Sequence, residues 1–425
     1  MLILLGSLAF FVVTGLPIAY GLGLSALVYF IAYHPEIILV IPQRFYAGLD
    51  SELMLALPLY VLMGAMMNVG GLTTRLIDFS LLLVGRLRGG LGMVCIMSSM
   101  IISGISGSSV ADAASIGSVL IPEMERRGYS REYAAGITVA ATTNGMIIPP
   151  SIPMVIYAFM ATESVGKLFL SAAIPGLILG LVQMAINGVI SAKHNYPVEN
   201  IGFTVPEVMS RLRKGVLPLL MPIFVIGAVV IGLTTATEAV GVGVLYAFLV
   251  GTLFYHGLKL RHIPPMLRES IMSSANVMII TAFSGLYTWI LALEQVPDLV
   301  AALVMGLDVP VWVILLVVDI IILAIGFFVD VAPAIILLTP VFLPALKSIG
   351  VSPIQFGAIL IVGMAVGLVT PPVGMCLNVV STITKLDIVT IFRAAIPFLI
   401  ADVIVLLLVT FVPAVSLWLP ALLME

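Results

Sequence analysis

Residues 103–112 read Ser103-Gly104-Ile105-Ser106-Gly107-Ser108-Ser109-Val110-Ala111-Asp112, a polar, glycine-rich stretch between two apolar arms. Glycines let the backbone turn, and hydroxyls satisfy the amides freed by turning. Only 34 residues separate Arg88 from Glu123. One membrane crossing takes about 20, so two full crossings and a turn do not fit. A single crossing would put Arg86 and Arg88 opposite Arg126 and Arg127, against the preference of basic loops for the cytoplasm. The stretch predicts a re-entrant hairpin over 91–124, its tip at 103–112. Irregular backbone at such depth must face protein or water.

Composition agrees. The chain has 425 residues, of which 9% are charged and 61% apolar, against roughly 25% charged in soluble proteins. So few charges cannot cover a water-facing surface, and lipid must be the solvent for much of the chain. A net charge of −3 offers no basic face for nucleic acid. Soluble enzymes, disordered chains and nucleic-acid binders are excluded. Cys95 and Cys376 lie far apart in apolar runs, and His34, His194, His256 and His262 fall in polar gaps. They make neither a disulfide framework nor a metal set, and a membrane enzyme lacks its catalytic constellation. The apolar run from residue 2 reads as a retained span, either one long helix or two parted at Thr14-Gly-Leu-Pro17. Residues 215–255 in the second half favour two.

Sliding the chain against itself at an offset of 222 aligns Gly104 with Gly326, Val119 with Val341, Pro122 with Pro344 and Gly128 with Gly350. Ser130 then meets Ser352, Ile137 meets Ile359, Gly145 meets Gly367, and Pro149-Pro150 meets Pro371-Pro372. Six of these nine identities are Gly or Pro, which shape backbone rather than fill space. Two halves with the same bends follow. The first, 1–214, has scaffold helices to 90, the hairpin 91–124, a broken helix 131–160 and a span 168–191. The second, 215–425, has scaffold helices to 310, a hairpin 311–347, a broken helix 353–383 and a last span 395–421. The loop after the first hairpin is rich in arginine, whereas its counterpart at 345–354 holds one lysine and the helix after it ends near Lys385 and Arg393. The halves are therefore expected to be inverted. Inverted repeats with broken helices mark secondary transporters, with ligands held near the midplane at the breaks.

The chemistry sits in four interruptions: the tip 103–112, the tip 326–333, and the breaks at Pro149-Pro150 and Pro371-Pro372. Paired prolines remove amide donors and leave carbonyls facing the gap. Carbonyls, hydroxyls and a carboxylate around a small space suit a hard cation such as Na⁺, and half-helix N-termini attract an anionic substrate. Asp330 and Asp112 are acids at membrane depth, functional candidates by position; Asp112 reads equally well as a helix N-cap. The serines of the first tip read as ion or substrate contacts or as small packing residues. Asp319 and Glu238 read as structural, and Arg126, Arg127 and Arg131 as topology anchors.

At Gly-Ile-Ser-Gly-Ser-Ser-Val-Ala-Asp-Ala-Ala (104–114), Ile-Ile-Pro-Pro-Ser-Ile-Pro (147–153), Thr-Ala-Thr-Glu-Ala (235–239) and Gly-Leu-Val-Thr-Pro-Pro-Val-Gly (367–374), the chain resembles the large membrane subunit of tripartite ATP-independent periplasmic (TRAP) transporters. Ala56-Leu-Pro-Leu59 and Gly-Gly-Leu at 70–72 are also similar. One departure is Thr235-Ala-Thr, where Thr-Pro-Thr is expected. The resemblance implies an all-α, elevator-type secondary transporter in the bacterial inner membrane. It implies as partners a small four-helix membrane subunit and a periplasmic substrate-binding protein. It also implies import of a small organic acid (a C4-dicarboxylate, a sialic acid or another sugar acid) with no cofactor beyond Na⁺ as coupling ion. One Na⁺ site would involve Ser103, Ser106, Ser108, Gly145 and Ile148, and a second Gly326, Asp330, Gly367 and Thr370. Substrate would sit near Ser108, Ser109, Ser151 and Asn378. Each surplus positive charge moved inward gains roughly 2.3 kcal/mol per 100 mV, and no Walker-type nucleotide loop is present. The alternatives are a self-sufficient Na⁺/carboxylate symporter and a passive anion pore.

Overall fold

The computed structural model describes residues 2–198, 204–306 and 309–424, which are helical with irregular links and no strand among the described residues. Seven of their helices are long and apolar enough to cross a membrane. The all-α class implied by the resemblance is therefore the observed one.

The first hairpin runs Gly90–Ser106 and Ser109–Arg126. Gly107 closes the first arm with φ 60°, a left-handed conformation that a side chain resists. Ser108 then caps the returning arm, its Oγ accepting from the Ala111 amide at 3.4 Å. Ser108, not Asp112, is thus the N-cap; Asp112 lies one turn inside. Arms of 17 and 18 residues are about 25 Å long, short of a hydrocarbon layer of about 30 Å. The second hairpin runs Val311–Gly326 and Val331–Ser348, with Asp330 as its N-cap.

Each hairpin is followed by a broken helix. The first comprises Arg131–Ala141, a short turn Asn144–Ile147, and Ile152–Ala161. Ile148, just before the prolines, is extended at φ −78° and ψ 124°, as clash with a following proline ring requires. The second comprises Pro353–Leu368 and Met375–Thr384. Both Pro-Pro bonds are cis.

Residues 2–33 are two helices, Leu2–Val13 and Ile18–Tyr33, the favoured of the two readings, parted where Pro17 lacks an amide donor. Other spans have different boundaries from those expected. The stretch expected as one last span over 395–421 is Ile388–Phe411 followed by Ala414–Leu423, separated at Val412-Pro413. The helix begins earlier than expected because Asp387 caps it, accepting from the Val389 amide at 3.0 Å. Residues 52–69 and 72–84 meet at 69° across Gly70-Gly71. The second half's scaffold also reaches into its charged gaps, as Val205–Val230 and Ile263–Leu293.

The two hairpins, the broken helices and the helices Val165–Lys193 and Ile388–Phe411 share one core in which Tyr157, Phe169, Phe356 and Phe398 are fully buried. Within it the Tyr157 hydroxyl donates to the Pro353 carbonyl at 2.6 Å, joining one half's broken helix to the other's. Ile18–Tyr33 packs on Ile263–Leu293 through a smaller cluster around Phe30 and Leu286. Leu181, Ile223 and Leu245 stay exposed, the surface that acyl chains solvate. Asp319 accepts from Thr410 Oγ1 at 3.2 Å, and Glu238 completes a capping box with Thr235. Arg127 and Arg131 pair with Glu123 and Glu125 on the exposed turn after the first hairpin. Tyr157→Phe is expected to destabilise the protein by about 0.5–1.5 kcal/mol, the net worth of one hydrogen bond. Melting in detergent measures this, and an unchanged transition would remove that bond from the core's account.

Candidate functional site

Asp112 organises the first tip. Ser106 Oγ donates to Asp112 Oδ1 at 2.5 Å, and Ser103 Oγ faces both Asp112 Oδ2, at 3.3 Å, and the Ser99 carbonyl. The Ser108 amide donates to Ser106 Oγ at 3.3 Å. A carboxylate and two hydroxyl oxygens thus converge at a fully turned backbone. Asp112 and Ser103 are completely buried.

The broken helix closes on this tip from the other side. A Cβ on Gly145 would stand 2.7 Å from Asp112 Oδ2 and 2.8 Å from Ser109 Cα. No side chain fits there. The Ile152 amide donates to the Gly107 carbonyl at 3.4 Å, tying tip to break. Ser109 and Ser151 are buried on either side of this contact, and neither hydroxyl has a protein partner. A buried hydroxyl normally finds one, so these two retain hydrogen-bonding capacity at one gap. Ile148 is half-buried beside them, its side chain against Gly176.

The second tip repeats the closure with different chemistry. The Val373 amide donates to the Phe327 carbonyl at 3.3 Å, the counterpart of the tie in the first half. Gly326 lies against Gly367, where a Cβ would come within 2.5 Å of the Gly326 carbonyl oxygen. Thr370 Oγ1 donates to the Val366 carbonyl at 2.7 Å. Asp330 accepts from the Val331 amide at 2.8 Å and is exposed, whereas Asp112 is buried. Asn378 stands at this second break, its Nδ2 donating to the Val373 carbonyl at 2.6 Å, and is not bonded to Ser108, Ser109 or Ser151. Helix Met375–Thr384 packs on Ser109–Arg126, and its Cys376 is within electrostatic reach of both Asp112 and Asp330.

Among the described residues no group of three His, Cys, Asp or Glu could hold a metal ion. Cation binding here would rest on hydroxyls, carbonyls and single carboxylates, a donor set for a hard monovalent ion. The motifs did not mark a further buried polar group formed by Thr143, Asn144 and Gln183, nor the buried Asp402. The one signal of Asp402 in the sequence was an acid in the apolar run 395–421.

Close approach at the two breaks makes a sharp expectation. Gly145→Ala and Gly367→Ala should each lower initial uptake roughly tenfold or more, since forcing a methyl into such contacts costs about 1–3 kcal/mol. Transport by protein of verified membrane abundance is the measurement. Wild-type rates in both variants would mean that tip and break need not touch.

Comparison with known proteins follows the same lines. Residues 5–415 match the family model described as the tripartite ATP-independent periplasmic transporter, DctM component. The chain is 37% identical over 400 residues to the C4-dicarboxylate TRAP transporter large permease protein DctM of Pseudomonas aeruginosa, covering 94% of this chain and 93% of that one. It is 35% identical to the sialic acid TRAP transporter large permease protein SiaM of Vibrio cholerae, covering 96% and 95%. Among solved structures, the YdaH transporter of Alcanivorax borkumensis, a structure described as having an unusual topology, superposes with a TM-score of 0.62. The identity is 16%, and 88% of this chain and 87% of that one are covered; at that identity the likeness speaks to fold alone. With its two hairpins, two broken helices and a near full-length family match, the chain belongs to the DctM family, the large membrane component of tripartite ATP-independent periplasmic transporters.

Proposed function

We propose that this chain carries the transport pathway of a Na⁺-coupled importer that receives a small organic acid from a periplasmic binding protein in the inner membrane. The observation that carries this reading is the meeting of each hairpin tip with a helix break, oxygen-rich and closed by glycine. At the first, Ser103, Ser106 and Ser108 with the carbonyls near Gly145 and Ile148 form one Na⁺ site beside Asp112. At the second, Gly326, Asp330, Gly367 and Thr370 form another. The organic anion lies between the tips, contacting the unmet hydroxyls of Ser109 and Ser151 together with Ser108 and Asn378. The anion's charge is balanced by the bound cations and by the N-termini of the returning helices.

Relatives named for C4-dicarboxylate and sialic acid transport support an organic acid as cargo. A small four-helix membrane subunit completes the assembly, braced against the scaffold helices. The hairpins and broken helices form the moving body of an elevator, and the two halves face opposite sides of the membrane. Sodium binding at the tips closes each tip on its break and so readies the substrate contacts, which couples ion and anion.

Reconstitution with both partners under an imposed Na⁺ gradient tests the reading. Uptake should saturate, require sodium and require the binding protein. Flux that ignores sodium, or that runs equally well with this polypeptide alone, would instead support a self-sufficient carrier or a pore. Asp112→Asn should raise the sodium concentration for half-maximal uptake about tenfold or more, because a hydrogen bond or contact to a buried charge is worth about 1.5–3 kcal/mol. An unchanged sodium dependence would remove Asp112 from the first site.

A further inference from the structure

A pocket lies away from both tips, where the span Val205–Val230 packs on Leu72–Val84, the helix that follows the Gly70-Gly71 bend. Its volume is about 210 Å³, and one ordered water needs only about 10–15 Å³. Arg75 and Asp78 line it from one helix, and Glu207, Ser210, Arg211 and Lys214 from the other. Val205–Val230 carries its charged residues between Glu207 and Lys214 and none beyond, and its next turns expose Val216, Leu220 and Ile223. The pocket therefore sits where this span passes from water into hydrocarbon. The basic residues at that end favour the cytoplasmic side.

Two cations in this pocket have no acid to pair with. Asp78 lies 3.4 Å from Arg211. Glu207 is spent on the start of its own helix, accepting from the Thr204 amide at 2.9 Å and the Thr204 hydroxyl at 3.0 Å. Among the described residues no ion pair includes Arg75 or Lys214. Arg75 is nevertheless held in place. Its guanidinium lies over the Tyr255 ring, 3.9 Å from the centroid, and its Nη1 donates to the Gly71 carbonyl at 2.6 Å. The Tyr255 hydroxyl in turn donates to the Lys214 carbonyl at 2.6 Å, which fixes the ring. Stacking sets the plane of the guanidinium, and that group has more N–H donors than one carbonyl uses. Ser210 adds a hydroxyl to the same pocket.

We propose that this pocket binds the phosphate group of an anionic phospholipid, with Arg75 and Lys214 as its charged contacts and Ser210 as a hydroxyl donor. Guanidinium and ammonium groups hold phosphate through charge-assisted hydrogen bonds, and basic pockets at the cytoplasmic ends of spans take anionic headgroups. The three cations and two acids that line the pocket leave one surplus positive charge. A phosphodiester headgroup carries one negative charge and neutralises it. The bound phosphate bridges Leu72–Val84, which leads into the first hairpin, and Val205–Val230, from which the second half starts. It thereby fastens the two halves at this edge. The site uses none of the residues of the tips or breaks, so it is independent of the sodium reading.

Native mass spectrometry of the purified protein in detergent, titrated with phosphatidylglycerol or with phosphatidylcholine, reads the site. One phosphatidylglycerol should be retained roughly tenfold or more tightly than phosphatidylcholine. Lys214→Gln should weaken it about fivefold, the effect of one basic side chain near an anionic headgroup, and Arg75→Gln combined with Lys214→Gln about twentyfold or more. Lys193→Gln removes a basic charge at another helix end and should leave the affinity unchanged. Equal retention of the two lipids, wild-type affinity in Lys214→Gln, or the same loss in Lys193→Gln would overturn the proposal. Inorganic phosphate at millimolar concentration separates the two sources of the group. Lipid that stays bound supports a headgroup site, whereas lipid displaced by phosphate rejects it in favour of a free anion. If the double variant does not fold, Lys214→Gln alone decides, because Lys214 is exposed and its ammonium pairs with no acid among the described residues. No transport measurement enters, so this test can fail while the sodium reading stands, and the reverse.

Discussion

Backbone polar groups that leave a helix inside hydrocarbon must find partners, and this demand governs the whole arrangement. A helix that stops midway frees amides and carbonyls whose exposure to lipid would cost several kcal/mol each. The chain stops two helices and turns two hairpins within its apolar segments, and it meets the demand by pressing each tip into its own break. The Gly107–Ile152 and Phe327–Val373 backbone bonds are that solution seen twice. A break and a tip are therefore not separate features. Each is tolerable because the other is present.

The same closure produces the site. Once glycines at 145 and 367 admit the tips to backbone contact, oxygens from three sources share one small volume: side-chain hydroxyls, carbonyls and a carboxylate. The two copies then diverge in charge. The first holds its acid buried under serine hydroxyls, while the second presents Asp330 at an exposed helix cap. One backbone design, used twice, supports two chemically different pockets.

Legibility of these features in the sequence varied with how local their causes are. The hairpin at 103–112 was readable because glycine, serine and the count of residues between arginines act within a few positions. The Pro-Pro breaks were readable because paired prolines past a helix's first turn interrupt it. Asp112 was open between a helix cap and a functional acid, and only the placement of the turn, which gives the cap to Ser108, decides the first of these. Asp402 carried a visible signal, an acid in an apolar run, whereas the buried hydrogen-bonded group of Thr143, Asn144 and Gln183 joins two segments far apart in the chain and shares no motif. The end of the last span was likewise hidden. The apolar run continues past Phe411, and only Pro413 with the extended turn at Val412 ends the helix.

From the sequence alone came the membrane class, the repeat, the four interruptions and the residue types able to line them, since composition, period and proline geometry act locally or by simple counting. Tertiary structure decided which hydroxyls are spent on Asp112 and which stay unmet. It also decided that glycines face backbone at both breaks, and that Asp402 is fully buried. Those outcomes depend on distances between segments far apart in the chain. Hydrogen-bond donors are finite, and only packing determines which acceptors they reach.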